Sequence, residues 1–578
     1  MMTNEELIEK LEELTKNAKH HQLDTLRSIL LHNASVRYLQ SSFNNNKLHP
    51  STFTRHVPLS SYEDYVPFIH HLAHHHDAKL HPLLSVDPLL CFFYSSGTTS
   101  LKPKLIPYFD STLSKAASFL GHRGSAVVLQ RLFPPRPNVN KILMFFYADK
   151  ITTTKNGFKV MAASSYPIQS GKVTSEQLAM FSSPPEVILG SNVEHQMYCH
   201  LLCGLRNHDV IDGISTPYAI GLIKAFSLLE SKWEQLCDDL NSGFPSHEIS
   251  DVAMREAVIN TLGGPQLDLS NRIRLVCEGK NWNGIVHRMF PNVRFIRCVT
   301  TGSMKQYYKK LKFYAGDVPI LGGDYFTSEC CVGINLDIMQ PPETTRFVIV
   351  PTFAYFEFLP FEMNENEQDV CEQTVDLTSV EVGKMYEVVV TTYRGFYRYK
   401  LGDIVRVVGF HNSSPEVEFV MRAPKSSAEI LTEKDLFSAV ENFQLALRGA
   451  VDIEIVEFAS FLDQEPVLKR LKVFVEVDVQ DKSNFLEDNL DECVKMFKSC
   501  VSSLESGLGA LYKAQRDKGH LGNLMITILR HGAFNQLLDL AIKNGTSASQ
   551  YKPPKIIRNH EIVKFLENLA FATISMDD

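Results

Sequence analysis

The chain predicts an α/β fold in two domains, on three observations. Short apolar runs separated by turns and a helix over residues 272–335 read as a largely parallel sheet covered by helices. YEVVVTTYRGFYRYKLGDIVRVVGF, residues 386–410, reads as a strongly twisted hairpin with side chains alternating at period two. MRAPKSSAEI, from Met421, is a polar, proline-containing break, and a second β–β–α–β–α pattern follows it. The domains are therefore set at 1–422 and 423–578. At 578 residues the chain exceeds one ordinary core, which agrees with this division.

From the N-terminus, residues 4–40 read as helix, because Leu7, Leu11, Leu14, Leu23, Leu26, Ile29 and Leu30 recur at helical spacing. HHLAHHHDAKLH follows, with His70, His71, His74, His75, His76 and His81. Pairs such as His70/His74 and His71/His75 have the i,i+4 spacing of zinc ligands, but no nearby Cys or Glu completes a set, so a solvated face is expected. Phe92-Phe93-Tyr94 has strand propensity. Residues 111–232 alternate helical and strand-like runs. In SSPPEVILGSNVEHQMYCHLLCGL, VIL reads as a short strand, and Met197, Leu201, Leu202 and Leu205 form a helical face. STPYAIGLIKAFSLLESKWEQL is another helix, with Ala219, Ile220, Ile223, Phe226 and Leu229 on its apolar side. IRLV, VRFIRCV and VPIL are read as strands, with a helix around Lys305–Lys312. Gly402-Asp403 is read as a turn. In the C-terminal domain, VDIEIVEFASF, LKRLKVFVEVDV and LMITILR are strands. One long helix is expected over 487–512 and another at FNQLLDLAIKNG, where Gly545 suits the C-terminal cap.

Three separated stretches carry chemistry. After the aromatic run come Ser95, Ser96, Gly97, Thr98 and Thr99, then Lys102 and Lys104. Small residues let a backbone turn tightly and present its N–H groups to an anion, and the hydroxyls and lysines suit a polyphosphate. No Gly-Lys-Ser/Thr closes the loop, so it is not a Walker motif. GGDYFTSE places Asp324, Tyr325, Thr327, Ser328 and Glu329 just beyond a strand end, where an open α/β sheet has its ligand crevice. Beside a phosphate loop the Glu329 carboxylate can hold magnesium. Asp403, short and acidic between strands, can accept from a ribose diol.

The net charge of −8 argues against broad nucleic-acid binding, which needs a basic face, and leaves room only for a local basic groove. The 11 cysteines are scattered and contain no CxxC pair, so reduced, buried thiols of a cytoplasmic protein are expected. MMTNEELIEKLEEL is acidic and amphipathic, not a signal or transit peptide. The longest apolar stretch, FVIVPTFAYFEFLPF, is too short and interrupted to span a bilayer.

SSGTTSLKPKLIP, MYCHLLCGL, TGSMKQY, DYFTSE with GINLD, AYFEFLP, TTYRGFYRYKLGDIVRVVGFHN and SQYKPPK occur in that order from about residue 35 to residue 555. Together they resemble the plant acyl acid amido synthetases, the auxin-responsive Gretchen Hagen family within the adenylate-forming enzymes. The resemblance implies a large adenylate-forming N-terminal domain with mixed sheets and a β-barrel-like hairpin region, and a small mobile C-terminal lid. It implies ATP and Mg2+ as cofactors. Ser95, Ser96, Gly97 and Thr98 would wrap the phosphates, with Thr327 and Ser328 also on the nucleotide. Tyr325 would lie by the adenine and acyl group, Glu329 would ligate magnesium, and Asp403 would take the ribose hydroxyls. Arg422 would begin the hinge. Lys552 would reach the reacting phosphate and carboxylate, while Lys555 would face solvent. The implied reaction joins a small aryl or indolyl carboxylic acid, such as auxin or a benzoate, to an amino acid, taken as Asp or Glu. A jasmonate-type acid, a coenzyme A-type ligase and a non-catalytic ligand-binding relative are the alternatives. A monomer acting without nucleic acid or membrane is expected. The sequence departs from the family pattern at Leu101, Gly323, Thr327, Lys555 and Arg394, the last standing where a small residue is usual.

Overall fold

The computed structural model of the protein describes residues 2–575 except 44–48, 76–81, 96–102, 149–150, 363–372, 425–429, 449–452, 466–467, 480–489, 547 and 549–550. The N-terminal helical pattern is broken into Asn4–Lys16, Ala18–His32 and Arg37–Phe43. Asn17 and Asn33 occupy the breaks as C-caps outside helical geometry. The leucine stripe is buried apart from Leu23, which is 38% exposed. The Gln22 amide fixes these helices to the sheet behind them: it donates to Pro351 O (2.6 Å) and Ala354 O (2.8 Å) and accepts from Phe356 N (2.7 Å).

Three sheets precede residue 423. In the first, Leu89–Tyr94 pairs antiparallel with Leu105–Phe109 and parallel with Lys159–Ala162. The second is fully parallel, in the order Lys141–Met144, Ile211–Tyr218, Phe295–Val299, Ile320–Gly322. Two of the strands read from sequence in this region are helical. Pro184 and Pro185 stand at N-cap and N1 of a short helix, Pro185–Ile188, so VIL closes a helical turn. IRLV lies inside the helix Leu267–Glu278, where Ile273 and Cys277 point inward at i,i+4 spacing and Leu275 is 73% exposed. The third sheet has eight antiparallel strands and runs from Val375–Asp376 at one end to Tyr325–Phe326 at the other. Its centre is the hairpin of Met385–Thr391 with Tyr399–His411. Gly402-Asp403 is not a turn: the strand passes straight through it. The register shifts between Glu387 and Val389, so Leu401, Gly402 and Asp403 bulge opposite Val388. Gly402 supplies the positive φ, 72°, that this bulge requires.

The C-terminal sheet has the order Ile556–Ile557, Ile453–Asp463, Arg470–Val479, Met525–Leu529, Ala570–Ser575. The helix expected over 487–512 is two helices, Leu490–Ser506 and Gly509–Asp517. A Cβ on Gly507 would stand 2.4 Å from Ala439 Cα, so the neighbouring helix Glu433–Arg448 passes where only glycine fits. The ten described cysteines are all free and buried. Among the described residues, no helix is long and apolar enough to cross a membrane.

MYCHLLCGL proves to be core. It falls in the helix Val193–Arg206, and every residue from Gln196 to Leu205 is buried. His200 Nε2 faces Phe146 O at 3.0 Å, which assigns the proton to Nε2 and leaves Nδ1 to accept from Ser183 Oγ at 2.8 Å. Burial pulls its pKa from 6.5 down to about 4. Between these values the unfolded chain binds a proton that the folded chain refuses, so stability rises with pH across the window. Acidification from pH 6.5 to 4 therefore removes up to roughly 3 kcal/mol through this one residue. His200→Gln, which cannot titrate, is expected to shallow the fall in urea midpoint between pH 6.5 and 4.5. An unchanged fall would place the acid sensitivity elsewhere.

Candidate active site

A cavity of about 890 Å³ opens beyond the C-terminal ends of the parallel strands, at Tyr218 and Val299. The antiparallel sheet forms its floor, and residues of the C-terminal domain cover one side. Ser95, Tyr325, Thr327, Ser328, Glu329, Asp403, Arg422 and Lys552 all line it. Ser96, Gly97 and Thr98 lie outside the described residues, as does Leu101.

Local folding explains each placement. Ser95 N donates to Lys104 O, and Lys104 N donates to Ser95 Oγ, both at 3.0 Å, which closes the base of the 95–104 loop. Thr327 and Cys330 form a tight turn: Thr327 N and Oγ1 donate to Cys330 O at 2.9 and 3.1 Å, and Cys330 N returns to Thr327 Oγ1 at 3.2 Å. The turn holds Ser328 and Glu329 at its tip. Ser328 Oγ reaches Tyr94 O at 3.4 Å, tying this tip to the strand that feeds the loop. Glu329 is half-buried, and among the described residues its carboxylate accepts only a long bond, 3.4 Å, from Tyr399 OH. Burial, then the Glu329 charge, pushes the Tyr399 phenol well above its ordinary pKa, so it remains a donor.

Asp403 has more partners. Its bulge turns the side chain between strands, where Tyr325 OH donates at 2.7 Å and Arg422 Nη1 at 2.5 Å. Arg422 is its cross-strand neighbour. Burial and the Asp403 charge raise the Tyr325 phenol, and Asp403 holds the Arg422 guanidinium charged. Two donors leave lone pairs free on a carboxylate that can accept about four bonds. Arg422 thus closes the end of a strand as the partner of Asp403, ahead of residues 425–429.

Lys552 arrives from the C-terminal domain with Nζ 4.3 Å from the ring centroid of Tyr218, a cation–π contact. Lys555, expected at the surface, is 1% exposed. Its Nζ pairs with Glu457 and also donates to Phe458 O at 3.3 Å. Glu457 follows a bulge in the strand Ile453–Asp463, and it accepts as well from Tyr307 OH and, at 3.0 Å, from Gln306 Nε2.

Sequence reasoning named no role for three further lining residues: Glu433, Arg558 and Arg394. Burial pushes the Glu433 carboxyl upward, while Arg422, Lys555, Lys552 and Arg558 pull it down. Arg394 had a signal, as a cation where the family pattern has a small side chain. The histidine cluster lies elsewhere, with His70 stacked on His74 at 4.2 Å and His71 on His75 at 4.8 Å. Among the described residues no group of three or more His, Cys, Asp or Glu side chains is arranged to hold a metal. His76 and His81 lie outside them.

The GH3 family N-terminal domain matches residues 7–320, the GH3 family central domain 347–422 and the GH3 family C-terminal domain 434–561. The chain belongs to the GH3 family. It is 43% identical over 405 residues to a probable indole-3-acetic acid-amido synthetase of Oryza sativa subsp. japonica, covering 68% of this chain and 82% of the relative. A jasmonoyl–L-amino acid synthetase of Nicotiana attenuata is 34% identical across 98% of this chain and 96% of its own. Among solved structures, the GH3.15 acyl acid amido synthetase in complex with 2,4-DB superposes with a TM-score of 0.84 at 30% identity, covering 100% of this chain and 98% of that one. The GH3 fold accounts for the three sheets and the appended C-terminal domain described above.

Proposed function

We propose that this GH3 chain is an ATP-dependent acyl acid amido synthetase, acting on a small aryl or indolyl carboxylic acid and an amino acid, Asp or Glu. One observation carries the reading: Glu329, Asp403 and Lys552, from three distant segments and two domains, face one cavity. Relatives named as a probable indole-3-acetic acid-amido synthetase, at 43% identity, and a jasmonoyl–L-amino acid synthetase, at 34%, support the amido synthetase chemistry.

The chemistry runs in two balanced steps. A carboxylate oxygen attacks the α-phosphorus of ATP and pyrophosphate leaves, giving an acyl adenylate. The amino acid amine then attacks the acyl carbon, AMP leaves, and the amine gives up a proton. Residues 95–98 and the Thr327–Ser328 turn offer donors to the phosphates. Tyr325 stands beside the nucleoside, and Asp403, held by Arg422, accepts from the ribose diol. Lys552 places positive charge where adenylation concentrates negative charge. Glu329 fits magnesium, because that ion keeps several waters and takes one or two carboxylates alongside phosphate oxygens. Bound there, it would neutralise phosphate charge. Residues 423–578 act as a mobile lid that excludes water from the adenylate. The protein works as a cytoplasmic monomer.

The test is pyrophosphate release with ATP, magnesium and a panel of indole-acetate, benzoates, cinnamates and jasmonate, followed by mass spectrometry of products with mixed amino acids. Acid-dependent release and an aryl or indolyl amide of Asp or Glu are expected. Release that requires coenzyme A and yields a thioester would make the chain a coenzyme A ligase. No release with any acid would leave a non-catalytic binder. Glu329→Gln keeps the side-chain volume and removes the charge. Its release rate is expected to fall roughly 100-fold, with half-saturation moved to higher magnesium. Unchanged magnesium dependence would place the metal elsewhere.

A further inference from the structure

Arginines in and behind the cavity wall differ in how their charge is met. Arg297 pairs with Asp324 at 2.6 Å and Arg422 with Asp403 at 2.5 Å. Arg394, half-buried in the cavity wall, has only neutral acceptors among the described residues. Its Nε donates to Ser114 Oγ at 3.0 Å, Nη1 to Ser328 O at 3.0 Å and Nη2 to Ser118 Oγ at 3.2 Å. A guanidinium carries five N–H donors, so one remains on each Nη. Two of the three bonds fix the group to the helix Thr112–Leu132, and the third to the turn that carries Glu329. The guanidinium is thus pre-positioned, with its charge uncompensated by any carboxylate among the described residues.

Its surroundings are aromatic. Arg394 Cζ lies 4.8 Å from the Tyr108 ring centroid, and Tyr108 packs edge-on against Tyr166 at 4.9 Å. Lys172, at the rim, sits 4.7 Å over Tyr166 and donates to its hydroxyl at 2.9 Å. Tyr108 and Tyr166, inclined at 66° to each other, therefore form an aromatic corner against which an aryl ring can pack, with a cation over each ring.

We infer that the acyl acid bears a second carboxylate, and that Arg394 reads it. The inference rests on the amido synthetase reading above. A ring without an acceptor would strip water from two guanidinium N–H groups and return nothing. A carboxylate replaces that water with charge-assisted bonds, the strongest kind available to Arg. The reacting carboxylate is the poorer occupant. On adenylation its oxygen bridges to phosphorus and loses charge, so a guanidinium fixed on it would hold the free acid better than the adenylate and would slow the step.

The experiment measures acid-dependent pyrophosphate release by the full-length protein with matched acids: benzoate against its 3- and 4-carboxy forms, and cinnamate against 4-carboxycinnamate. The wild type is expected to favour the diacids by roughly 30-fold or more in kcat/KM, because a site built for a polar group rejects analogues lacking it. Arg394→Gln should lower kcat/KM for the diacids roughly 100-fold, mainly through KM, and lower it for the matched monoacids by at least about tenfold less. Arg394→Lys should recover part of the diacid activity. An equal loss for both members of each pair would put Arg394 on the reacting carboxylate and overturn the inference. So would a wild type that turns over monoacids and ignores every diacid, with the amido synthetase reading left intact. Release with no acid of either kind overturns both.

Discussion

Lys552→Ala is expected to lower acid-dependent pyrophosphate release roughly 1,000-fold at saturating ATP, the upper range for losing one charge-stabilising donor. The residue sits in a loop fixed from behind: Pro553, Pro554 and Lys555 are all buried, while Lys552 is only half-buried. Its Nζ has a ring beneath it, Tyr218, and among the described residues no carboxylate within ion-pair distance. Removal therefore strands no buried partner, and the unfolding transition should stay at its wild-type temperature. ATP affinity should change by less than about threefold, since the lysine's task lies with charge that appears during transfer. Amide formation from a supplied acyl adenylate should survive better than the full reaction. Equal losses in the two half-reactions would assign Lys552 to holding the closed domain. No loss in either would remove it from the chemistry.

The polar anchors were legible because each belongs to a short local signal at a strand end. DYFTSE follows a strand, and its turn is closed by Thr327 and Cys330, three residues apart. Ser95 and Lys104 close their loop nine residues apart. What escaped the sequence depends on partners far along the chain. Arg394 finds Ser114 and Ser118 across 280 and 276 positions, and Lys555 finds Glu457 across 98. Neither partner leaves a mark next to the residue it satisfies. Gly402-Asp403 misled for a different reason: a turn and a bulge both want glycine at positive φ, and only the strand pairing on either side tells them apart. IRLV misled because a four-residue apolar run fits a buried strand or one turn of helix equally well. Length decided it, since the helix runs for 12 residues from Leu267. Gly507 interrupts the 487–512 helix because of Ala439 on another helix, which no local propensity encodes.

Lys555→Ala is expected to destabilise the C-terminal domain by about 3–5 kcal/mol, the cost of removing one member of a buried ion pair. Its side chain is fully buried and that of Glu457 is 6% exposed, so the carboxylate left behind could not reach water. Burial alone pulls the Lys555 ammonium toward the neutral form, and Glu457 is the main group that opposes it. The same carboxylate holds Tyr307 and Gln306 of the N-terminal domain, so the loss should also loosen the seam between domains. Calorimetry should show the C-terminal transition moving to lower temperature, and hydrogen exchange should rise along Ile453–Asp463. Charge decides the size of the effect, and a second substitution tests that. Glu457→Gln keeps an acceptor for Tyr307 while removing the stranded charge, so added to Lys555→Ala it should recover at least about 1 kcal/mol. If the double variant is as unstable as the sum of the singles, packing around the lysine stem matters more than the ion pair. If Lys555→Ala unfolds at the wild-type temperature and instead abolishes adenylation, the positions of Lys552 and Lys555 must be exchanged in the mechanism, and the catalytic loop read three residues further along.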